Sequence, residues 1–418
     1  MNFKDKTCLI AGRGIDLEHA VRLAKDFGRT LYVTDVYGGG RFPGFDDFAI
    51  GLGVEGLTKT DDDGNPLQFW NCVDEADLIC YFDCGTGDQV EYLRSHGKRV
   101  FGAGRAERLE LDRWYARQQQ KRLGLPTQET RRVRGVEALR KELERRGGSA
   151  VVKHNIFRRS VESFKVADVK GLDDKSLAEA FGPFTADHQF LVEADVGKGT
   201  VEVGFDVIVG EQGPILPLFY GYEYDGAYIG RVSDVLPAPL AKVWTAFAPL
   251  FKEGGYRGML SSEALVTEQG EPYLIDFTCR PPYPLSLAYT EVIENYSEVV
   301  WAVAGGEAVR AKCTGKYFGC LPIFSDWSDQ HWLRLAVEKR QTVKLQYAAK
   351  HGDDYWVVPH NIYFGCVVAV DGTIAGLARK LKAAMEDIDS FQLHKETACH
   401  LDRIQDTIRE GVKHGIEF

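Results

Sequence analysis

Two acidic residues on a predicted β-hairpin are the strongest candidates for chemistry in this sequence. Residues 259–267 and 273–278 read as strands joined by the turn 268–271, and this pairing can set Glu263 opposite Asp276. Two carboxylates held side by side repel each other unless a cation lies between them. Carboxylate oxygens suit Mg²⁺, particularly Mg²⁺ that also contacts nucleotide phosphates. The hairpin therefore predicts a magnesium site, and the alternative is an exposed hairpin face with ordinary salt bridges.

The second strand of this hairpin continues with an arginine at a useful position. Asp276, Thr278 and Arg280 follow one another at intervals of two residues. Because strand side chains alternate between faces, we expect all three to point to one face. Arg280 could then stabilise negative charge that develops on a phosphoryl group during its transfer.

Three upstream positions fit the binding of a nucleotide. Lys153 ends a short apolar strand, and the polar loop after it carries two arginines and two serines, among them Ser160. A lysine at such a place can reach nucleotide phosphates as a point charge. Residues 190–195 have the pattern of a hinge strand whose backbone could read an adenine edge, and Glu202 on the next strand could bind a ribose.

The composition indicates a globular protein of acidic character. The chain has 418 residues, enough for two to four domains, with 51 Lys and Arg against 61 Asp and Glu. Such an acidic chain is a poor candidate for bulk nucleic-acid binding. It contains neither an N-terminal apolar segment nor an apolar run of membrane-spanning length, so we expect no membrane association and a cytoplasmic location. The nine cysteines form no CxxC pair, which favours reduced thiols over disulfides or zinc.

Alternating strands and helices over the first 100 residues predict a parallel α/β domain that would position these side chains. The Gly12-Arg13-Gly14 turn in this domain reads as a structural strand–helix turn, because Leu17 stands where a dinucleotide motif needs its third glycine. Residues 105–146 are rich in arginine and read as helical. Their charged face either meets solvent or partly faces a phosphate-rich ligand. From residue 149 onward the pattern is mainly that of β-strands.

The ordered occurrence of these motifs resembles the ATP-grasp superfamily. Within it, the chain is similar over nearly its full length to the phosphoribosylamine–glycine ligase family. The segments that carry this resemblance are Glu18-His19-Ala20, Arg108-Leu109-Glu110, Leu123-Gly124-Leu125-Pro126, Val151-Val152-Lys153, Pro237-Ala238-Pro239 and Phe364-Gly365-Cys366-Val367-Val368-Ala369-Val370, together with the hinge and the hairpin.

The resemblance implies an ATP-grasp fold of the α/β and α+β class, divided into three parts. Residues 1–103 would form an N-terminal parallel α/β (pre-ATP-grasp) domain. Residues 104–312 would form the ATP-grasp region, with a small ATP-clamping subdomain at about 126–195. Residues 313–418 would form a small C-terminal α+β domain.

The resemblance also implies an activity and a role for each candidate residue. ATP would phosphorylate a small-molecule carboxylate, an amine would attack the acyl phosphate, and an amide, ADP and phosphate would leave. The ATP-binding residues would be Arg113, Lys153 and Ser160 at the phosphates, Glu193 and Asp195 at the adenine hinge, and Glu202 at the ribose. The ligands of Mg²⁺, or alternatively Mn²⁺, would be Glu263, Asp276 and Thr278, and Arg280 would act in catalysis.

The sequence departs from the family's pattern at several of these places. Arg113 and Thr278 stand where the family has a lysine and a metal-ligating asparagine, and the loop 154–163 lacks the family's glycines. The acceptor loop is shortened to about 222–231, and the run Gly38-Gly39-Gly40 is the nearest counterpart of the phosphoribosyl-binding motif. The substrates could therefore differ from those of the family. An ATP-grasp enzyme of another reaction class, such as a carboxylase or kinase, and a catalytically silent nucleotide-binding protein stay open as alternatives.

Overall fold

The computed structural model describes residues 1–34, 44–147, 149–156, 163–166 and 186–418. The predicted phosphate ligand Ser160 and the glycine run at 38–40 lie outside these ranges. No helix in the described ranges is both long enough and apolar enough to cross a membrane. All nine cysteines are free thiols.

The first hundred residues build a five-stranded parallel sheet, which confirms the predicted alternation. The strands are β1 (Phe3–Ala11), β2 (Phe27–Val33), β3 (Leu57–Thr58), β4 (Leu78–Tyr81) and β5 (Val100–Phe101). The helices described between them are α1 (Leu17–Ala24), α2 (Phe45–Ala49), α3 (Phe69–Cys72) and α4 (Gly87–Ser95). The spatial order is β3-β2-β1-β4-β5, and every pairing is parallel. The order reverses between β1 and β4, and ligands bind beyond the carboxyl ends of strands at such a point.

Burial on both faces explains why these strands read as continuous apolar runs. Cys8 and Ile10 of β1 belong to the large core that also contains residues of α1. Leu9 and Ala11 point to the other face and belong to a smaller core with residues of α3 and α4. Helices thus cover both faces of the parallel sheet, as crossover connections require.

A small antiparallel sheet follows after two short helices, α5 (Arg108–Leu111) and α6 (Arg113–Arg122). Its elements are β6 (Thr130–Arg134), α7 (Val136–Arg146), β7 (Ala150–His154), β8 (Ser163–Val166) and β9 (Gln189–Ala194). The spatial order is β6-β9-β7-β8. The prediction of helices over 105–146, broken only at 124–126, missed β6. This edge strand exposes its arginines and packs mainly through Val133, so it shows almost no apolar alternation.

A nine-stranded sheet forms the centre of the molecule. Its strands are β10 (Thr200–Gly210), β11 (Gly213–Tyr224), β12 (Ala227–Ser233), β13 (Gly258–Thr267), β14 (Pro272–Thr278), β15 (Tyr317–Ser325), β17 (Val343–Leu345), β20 (Tyr363–Asp371) and β22 (Leu393–His394). They pair in the order β14-β13-β10-β11-β12-β15-β20-β17, with β22 beside β15. The helices of this region are α8 (Ala238–Glu253), α9 (Ser286–Val292) and α10 (Tyr296–Gly305). Because β12 pairs with β15, the sheet continues across the predicted domain boundary at residue 312.

The segment 222–231, expected to be a shortened loop, is a tight hairpin instead. β11 extends to Tyr224 and β12 begins at Ala227, so only Asp225 and Gly226 form the turn. Their φ angles are 49° and 76°, the left-handed values that a two-residue type I′ turn requires at both positions. An Asp-Gly pair between two apolar runs is a strong sequence indication of such a hairpin.

The C-terminal region adds a second small antiparallel sheet and two helices. The strands are β16 (Leu333–Val337), β18 (Ala348–His351), β19 (Asp354–Val357) and β21 (Ile388–Ser390), in the spatial order β18-β19-β16-β21. The helices are α11 (Ile374–Glu386) and α12 (His400–Gly411). Short 3₁₀ turns lie at Gly104–Glu107, Asp326–Asp329, Glu396–Cys399 and Val412–His414.

Candidate active site

Two adjoining cavities lie on one face of the nine-stranded sheet. The small-sheet cavity, about 610 Å³, is enclosed by residues of β7, β9 and α6 together with β10, β13 and β14. The parallel-sheet cavity, about 540 Å³, lies between the carboxyl ends of β1 and β4 and strands β10, β11 and β13. Both volumes fall in the range of small-molecule sites. The residues that line both cavities are Glu110, Glu202, Glu263, Thr278 and Arg280.

The small-sheet cavity gathers every predicted site residue that the structure describes. These nine side chains come from α6, the small sheet, the central sheet and the segment after β14. They are Arg113, Lys153, Glu193, Asp195, Glu202, Glu263, Asp276, Thr278 and Arg280. A single cavity therefore contains side chains from positions spread over more than 160 residues of sequence.

The centre of this cavity is a cluster of ion pairs. Lys153 is only 4% exposed, and its Nζ lies 3.0 Å from Oδ2 of Asp276 and 3.6 Å from Oε2 of Glu193. Nε of Arg113 lies 3.4 Å from the same Oδ2 of Asp276. Burial by itself would raise the pKa of Asp276, but the charges of Lys153, Arg113 and Arg117 outweigh it and lower this pKa to about 2. Asp276 is therefore ionised at neutral pH.

Arg117 is a component of this cluster that the sequence interpretation missed. Its Nε and Nη2 lie 2.6 and 3.3 Å from the two carboxylate oxygens of Glu193, and Nη2 also donates to the carbonyl of Ile275. Burial opposes ionisation of Glu193, yet Arg117 and Lys153 lower the pKa of this carboxyl. The pair ties α6 to β9 and β14. The four-residue spacing of Arg113 and Arg117, which puts both on one helical face, was the sequence indication of this role.

The backbone available to read a base edge begins only at the last residue of the predicted hinge, 190–195. β9 pairs with β6 on one side and β7 on the other as far as Ala194. The backbone of 195–197, directly after β9, forms no hydrogen bonds to β6 or β7 and lines the cavity. Asp195 shapes the turn, because its carboxylate accepts hydrogen bonds from the Gly197 amide at 3.0 Å and the Ser149 hydroxyl at 3.1 Å.

The hairpin has the register expected from its turn. Glu263 lies opposite Asp276, and Ser261 lies opposite Thr278, with an irregularity directly after Glu263. Glu263 lines both cavities, and its side chain is open to the solvent in them. Burial, followed by the nearby carboxylates of Glu223, Glu202 and Asp276, raises the pKa of Glu263 to about 8.

The donor set of the hairpin fits one kind of metal site. Within the described ranges, no group of three or more His, Cys, Asp or Glu side chains could hold a metal ion. Mg²⁺ ordinarily takes one or two protein carboxylates and completes its shell with water and substrate phosphates. Glu263 and Asp276 therefore suit a magnesium ion that arrives with a phosphorylated ligand, and they do not make a protein-only site.

Arg280 lies where the two cavities meet. Its Nε is 3.2 Å from Oε1 of Glu110 and 3.5 Å from Oδ1 of Asp83. Glu110 is fixed in turn by the backbone amide of Cys279, which donates to it at 2.6 Å. The guanidinium is thus anchored from α5 and from the loop after β4. The sequence interpretation singled out neither Glu110 nor Asp83 for this role, because both lie more than 160 residues away from Arg280.

Comparisons with known proteins identify structural neighbours only. No protein-family model and no curated protein matches the sequence. Phosphoribosylamine–glycine ligase from Thermotoga maritima superposes with a TM-score of 0.67 at 16% identity, covering 93% of this chain and 98% of that chain. Biotin carboxylase from Campylobacter jejuni, solved as a β,γ-ATP complex, gives 0.68 at 18% identity, with 97% and 96% covered. N5-carboxyaminoimidazole synthetase from Staphylococcus aureus, solved with ADP, gives 0.61 at 13% identity, with 92% and 98% covered.

These similarities establish the fold. The neighbours are ATP-grasp enzymes, and they match this chain over nearly their whole length and its own. Identities between 13% and 18% carry no statement about substrates or residues. The N-terminal parallel sheet and the antiparallel sheets that follow it are arranged as in those enzymes, and the chain has the ATP-grasp fold.

Proposed function

We propose that this chain is an ATP-dependent ligase that activates a carboxylate as an acyl phosphate and joins it to an amine. The observation that carries this proposal is the convergence of Lys153 and Arg113 on Asp276, inside a cavity between the small and the central sheet. Two of the structural neighbours were solved with β,γ-ATP or ADP, which supports a nucleotide as the ligand of this fold.

Lys153 and Arg113 would bind the phosphates of ATP. Both are buried cations whose positions are fixed before a ligand arrives, Lys153 by Asp276 and Arg113 also by the carbonyl of His154 at 2.9 Å. Charge-assisted hydrogen bonds from such groups to phosphate oxygens are among the stronger polar contacts in proteins. Arg113 keeps the charge of the lysine that the family pattern has there. The predicted contact of Ser160 stays a prediction.

The nucleoside would occupy the other end of the small-sheet cavity. The backbone of 195–197 is free of the sheet ladder and lies at the cavity wall, where it could read an adenine edge. The carboxylate of Glu202 lines the same cavity and forms no ion pair with any described residue, so it could accept hydrogen bonds from ribose hydroxyls.

Glu263 and Asp276 would hold Mg²⁺, or alternatively Mn²⁺, with Thr278 as a weaker third ligand. A divalent ion bound there would neutralise charge on the phosphates during transfer. Arg280, anchored by Glu110 and Asp83, would stabilise charge that develops between the two cavities as the phosphoryl group moves. The protein thus supplies charge and position, and it needs no covalent nucleophile.

The parallel-sheet cavity would hold the substrate that accepts the activated carboxylate. It borders the nucleotide cavity through the five shared residues and lies at the point where the strand order of the parallel sheet reverses. We also propose the three-part division at 1–103, 104–312 and 313–418, with the last two parts joined by one continuous sheet.

An ADP-release assay on the purified protein tests the proposed function. A panel of carboxylates crossed with a panel of amines, at saturating ATP and Mg²⁺, should give ADP only when both partners are present. Release with one partner alone would indicate a carboxylase or kinase, the second candidate that the biotin carboxylase neighbour supports. Release with no combination would reject the proposal. Arg280→Met should abolish release while ATP binding persists, because Arg280 acts on the transferred group.

A further inference from the structure

Four of the carboxyl groups that line the parallel-sheet cavity are arranged around a glycine. Glu202 and Asp206 lie two residues before and after Gly204 on β10, so the three share one face of the strand. Glu263 lies directly opposite Gly204 on β13, and Glu223 comes from β11 on the other side. All four line the cavity. We call Glu202, Asp206, Glu223 and Glu263 the carboxylate ring.

None of the ring carboxylates forms an ion pair with a cationic side chain of the described residues. Within the described parts of the chain, no Lys, Arg or His nitrogen forms an ion pair with any of the four. The two arginines that line this cavity are already engaged by other acids: Arg13 lies 3.0 Å from Asp83, and Arg280 contacts Asp83 and Glu110. The acidic groups that line this cavity therefore outnumber its cations.

Asp206 provides an independent indication that a ligand completes this site. It is 3% exposed and lines the cavity. The hydroxyls of Ser261, Tyr289 and Tyr228 lie around its carboxyl group, but Oδ1 receives no hydrogen bond of good geometry from the described residues. Its other oxygen, Oδ2, accepts a hydrogen bond from the Tyr228 hydroxyl at 3.3 Å. A buried carboxylate oxygen with no donor costs stability, and a donor from a ligand would remove that cost.

Two glycines allow Tyr228 to reach Asp206 across a strand. A Cβ added to Gly221 would lie 2.6 Å from the Tyr228 hydroxyl, and one added to Gly230 would lie 2.6 Å from the edge of the same ring. The tyrosine ring therefore lies over the backbone of β11 and β12 and lines the cavity beside the carboxylates. Carboxylates together with an aromatic face are the groups that bind organic ammonium ions.

A metal ion does not fit this ring. Among the described residues, no three acidic side chains are placed so that one ion could bind them together. Carboxylates that surround a cavity of about 540 Å³ without converging on a point match a larger, extended cation.

We propose that the parallel-sheet cavity binds an amine substrate that carries a second, protonated nitrogen, such as an aliphatic diamine or polyamine. This inference rests on the proposed ligase function and names its acceptor. One nitrogen, unprotonated, attacks the acyl carbon: a C–N bond forms and the C–O bond to phosphate breaks. The phosphate leaves with the electron pair of that bond and takes the proton from the nitrogen. The other nitrogen stays an ammonium ion held by the carboxylate ring.

Equilibrium binding tests this assignment separately from catalysis. Putrescine and n-butylamine have the same carbon chain and differ by one ammonium group. We expect calorimetry, at fixed ionic strength and with a non-hydrolysable ATP analogue present, to show putrescine binding at least about tenfold more tightly than n-butylamine. Equal affinities, or no binding of putrescine, would overturn the proposal.

Two variants and a control locate the effect. Glu223→Gln and Asp206→Asn remove ring charges outside the nucleotide cavity and should each weaken putrescine binding about tenfold or more, with n-butylamine changed far less. Glu268→Gln removes an exposed carboxylate in the hairpin turn and should change neither. Unchanged putrescine affinity in both ring variants would also overturn the proposal.

The outcomes separate this inference from the proposed function. If putrescine binds through the ring but no carboxylate in the panel gives ADP release, the cation site is supported and the ligase function is rejected. If ADP release requires a zwitterionic or singly charged amine and putrescine is inactive, the ligase function is supported and the cation site is rejected.

Discussion

The small-sheet cavity and the parallel-sheet cavity share five lining residues, but they treat buried charge in opposite ways. In the first, Asp276 lies between Lys153 and Arg113, and its pKa falls to about 2. In the second, burial and neighbouring carboxylates raise the pKa of Glu223 to about 7 and that of Glu263 to about 8. Because Asp276 already contacts both cations, the first cavity holds Lys153 and Arg113 in place before an anionic ligand binds. The second cavity has more carboxyl groups than cations, and its raised pKa values mean that these groups keep protons near neutral pH, which a bound cation would displace.

Removing the negative charge of Asp276, which compensates the buried cations of the small-sheet cavity, should have the largest effect on activity. In Asp276→Asn, Lys153 and Arg113 lose their shared partner and the metal site loses a ligand. We expect ADP release to fall about 100-fold or more, with a lower melting temperature, because buried cations are left partly uncompensated. Turnover equal to wild type, with only stability changed, would assign Asp276 a purely structural role.

Breaking the Arg117–Glu193 ion pair of the same cavity should lower the free energy of unfolding. Arg117→Met leaves Glu193 buried with Lys153 at 3.6 Å as its remaining cationic partner, and we expect a loss of about 3 kcal/mol in unfolding free energy. Urea denaturation measures this, with Arg134→Met as the matched control, since the Arg134–Asp187 pair is exposed. The double variant Arg117→Met/Glu193→Met should recover part of the loss. A loss no greater than that of the control would contradict the account.

The crowded carboxyl groups of the parallel-sheet cavity should make the stability of the protein depend on pH. Burial, together with nearby carboxylates, raises the folded-state pKa of Glu223 from its ordinary 4.5 to about 7, so the folded protein holds this proton more tightly than the unfolded chain does. Wild type therefore loses stability as pH rises through this window, and Glu223→Gln does not. We expect the melting temperature of the variant, relative to wild type, to be higher at about pH 8 than at about pH 5. An equal difference at both pH values would show that Glu223 titrates normally.

The smallest effect should come from Thr278, which lines both cavities. Thr278→Asn replaces one neutral oxygen ligand by another, so the Mg²⁺ concentration for half-maximal ADP release should stay the same or fall by at most about tenfold. A Mg²⁺ titration of turnover measures it. Complete loss of activity would mean that the side chain at this position packs against structure and does not face the metal.

The sequence predicted the parts of this site that depend on local patterns. Strand–helix alternation predicted the parallel sheet, and period-two spacing around a short turn placed Glu263 opposite Asp276. The Asp225-Gly226 turn carried an equally local indication that was read as part of a loop. Local patterns are reliable because neighbours in sequence determine them.

Pairings over long sequence distances could not be predicted in this way. Arg117 meets Glu193 across 76 residues, and Arg280 meets Glu110 across 170, so no window of sequence contains both partners. The carboxylate ring could not be predicted from the sequence either, because the strand order in the central sheet determines that Glu223 and Glu263 face one cavity. Among its members the sequence singled out only Glu202 and Glu263, in other roles.

ATP binding to wild type and Lys153→Ala tests the central claim most directly. Lys153 is the buried cation at the middle of the small-sheet cavity, so the account predicts that calorimetry will show ATP affinity reduced about tenfold to 150-fold in the variant. Lys242→Ala, which removes an exposed lysine paired with Glu271, is the matched control and should bind ATP as wild type does. Equal ATP affinity in Lys153→Ala and wild type, with both folded, would contradict the assignment of this cavity to the nucleotide.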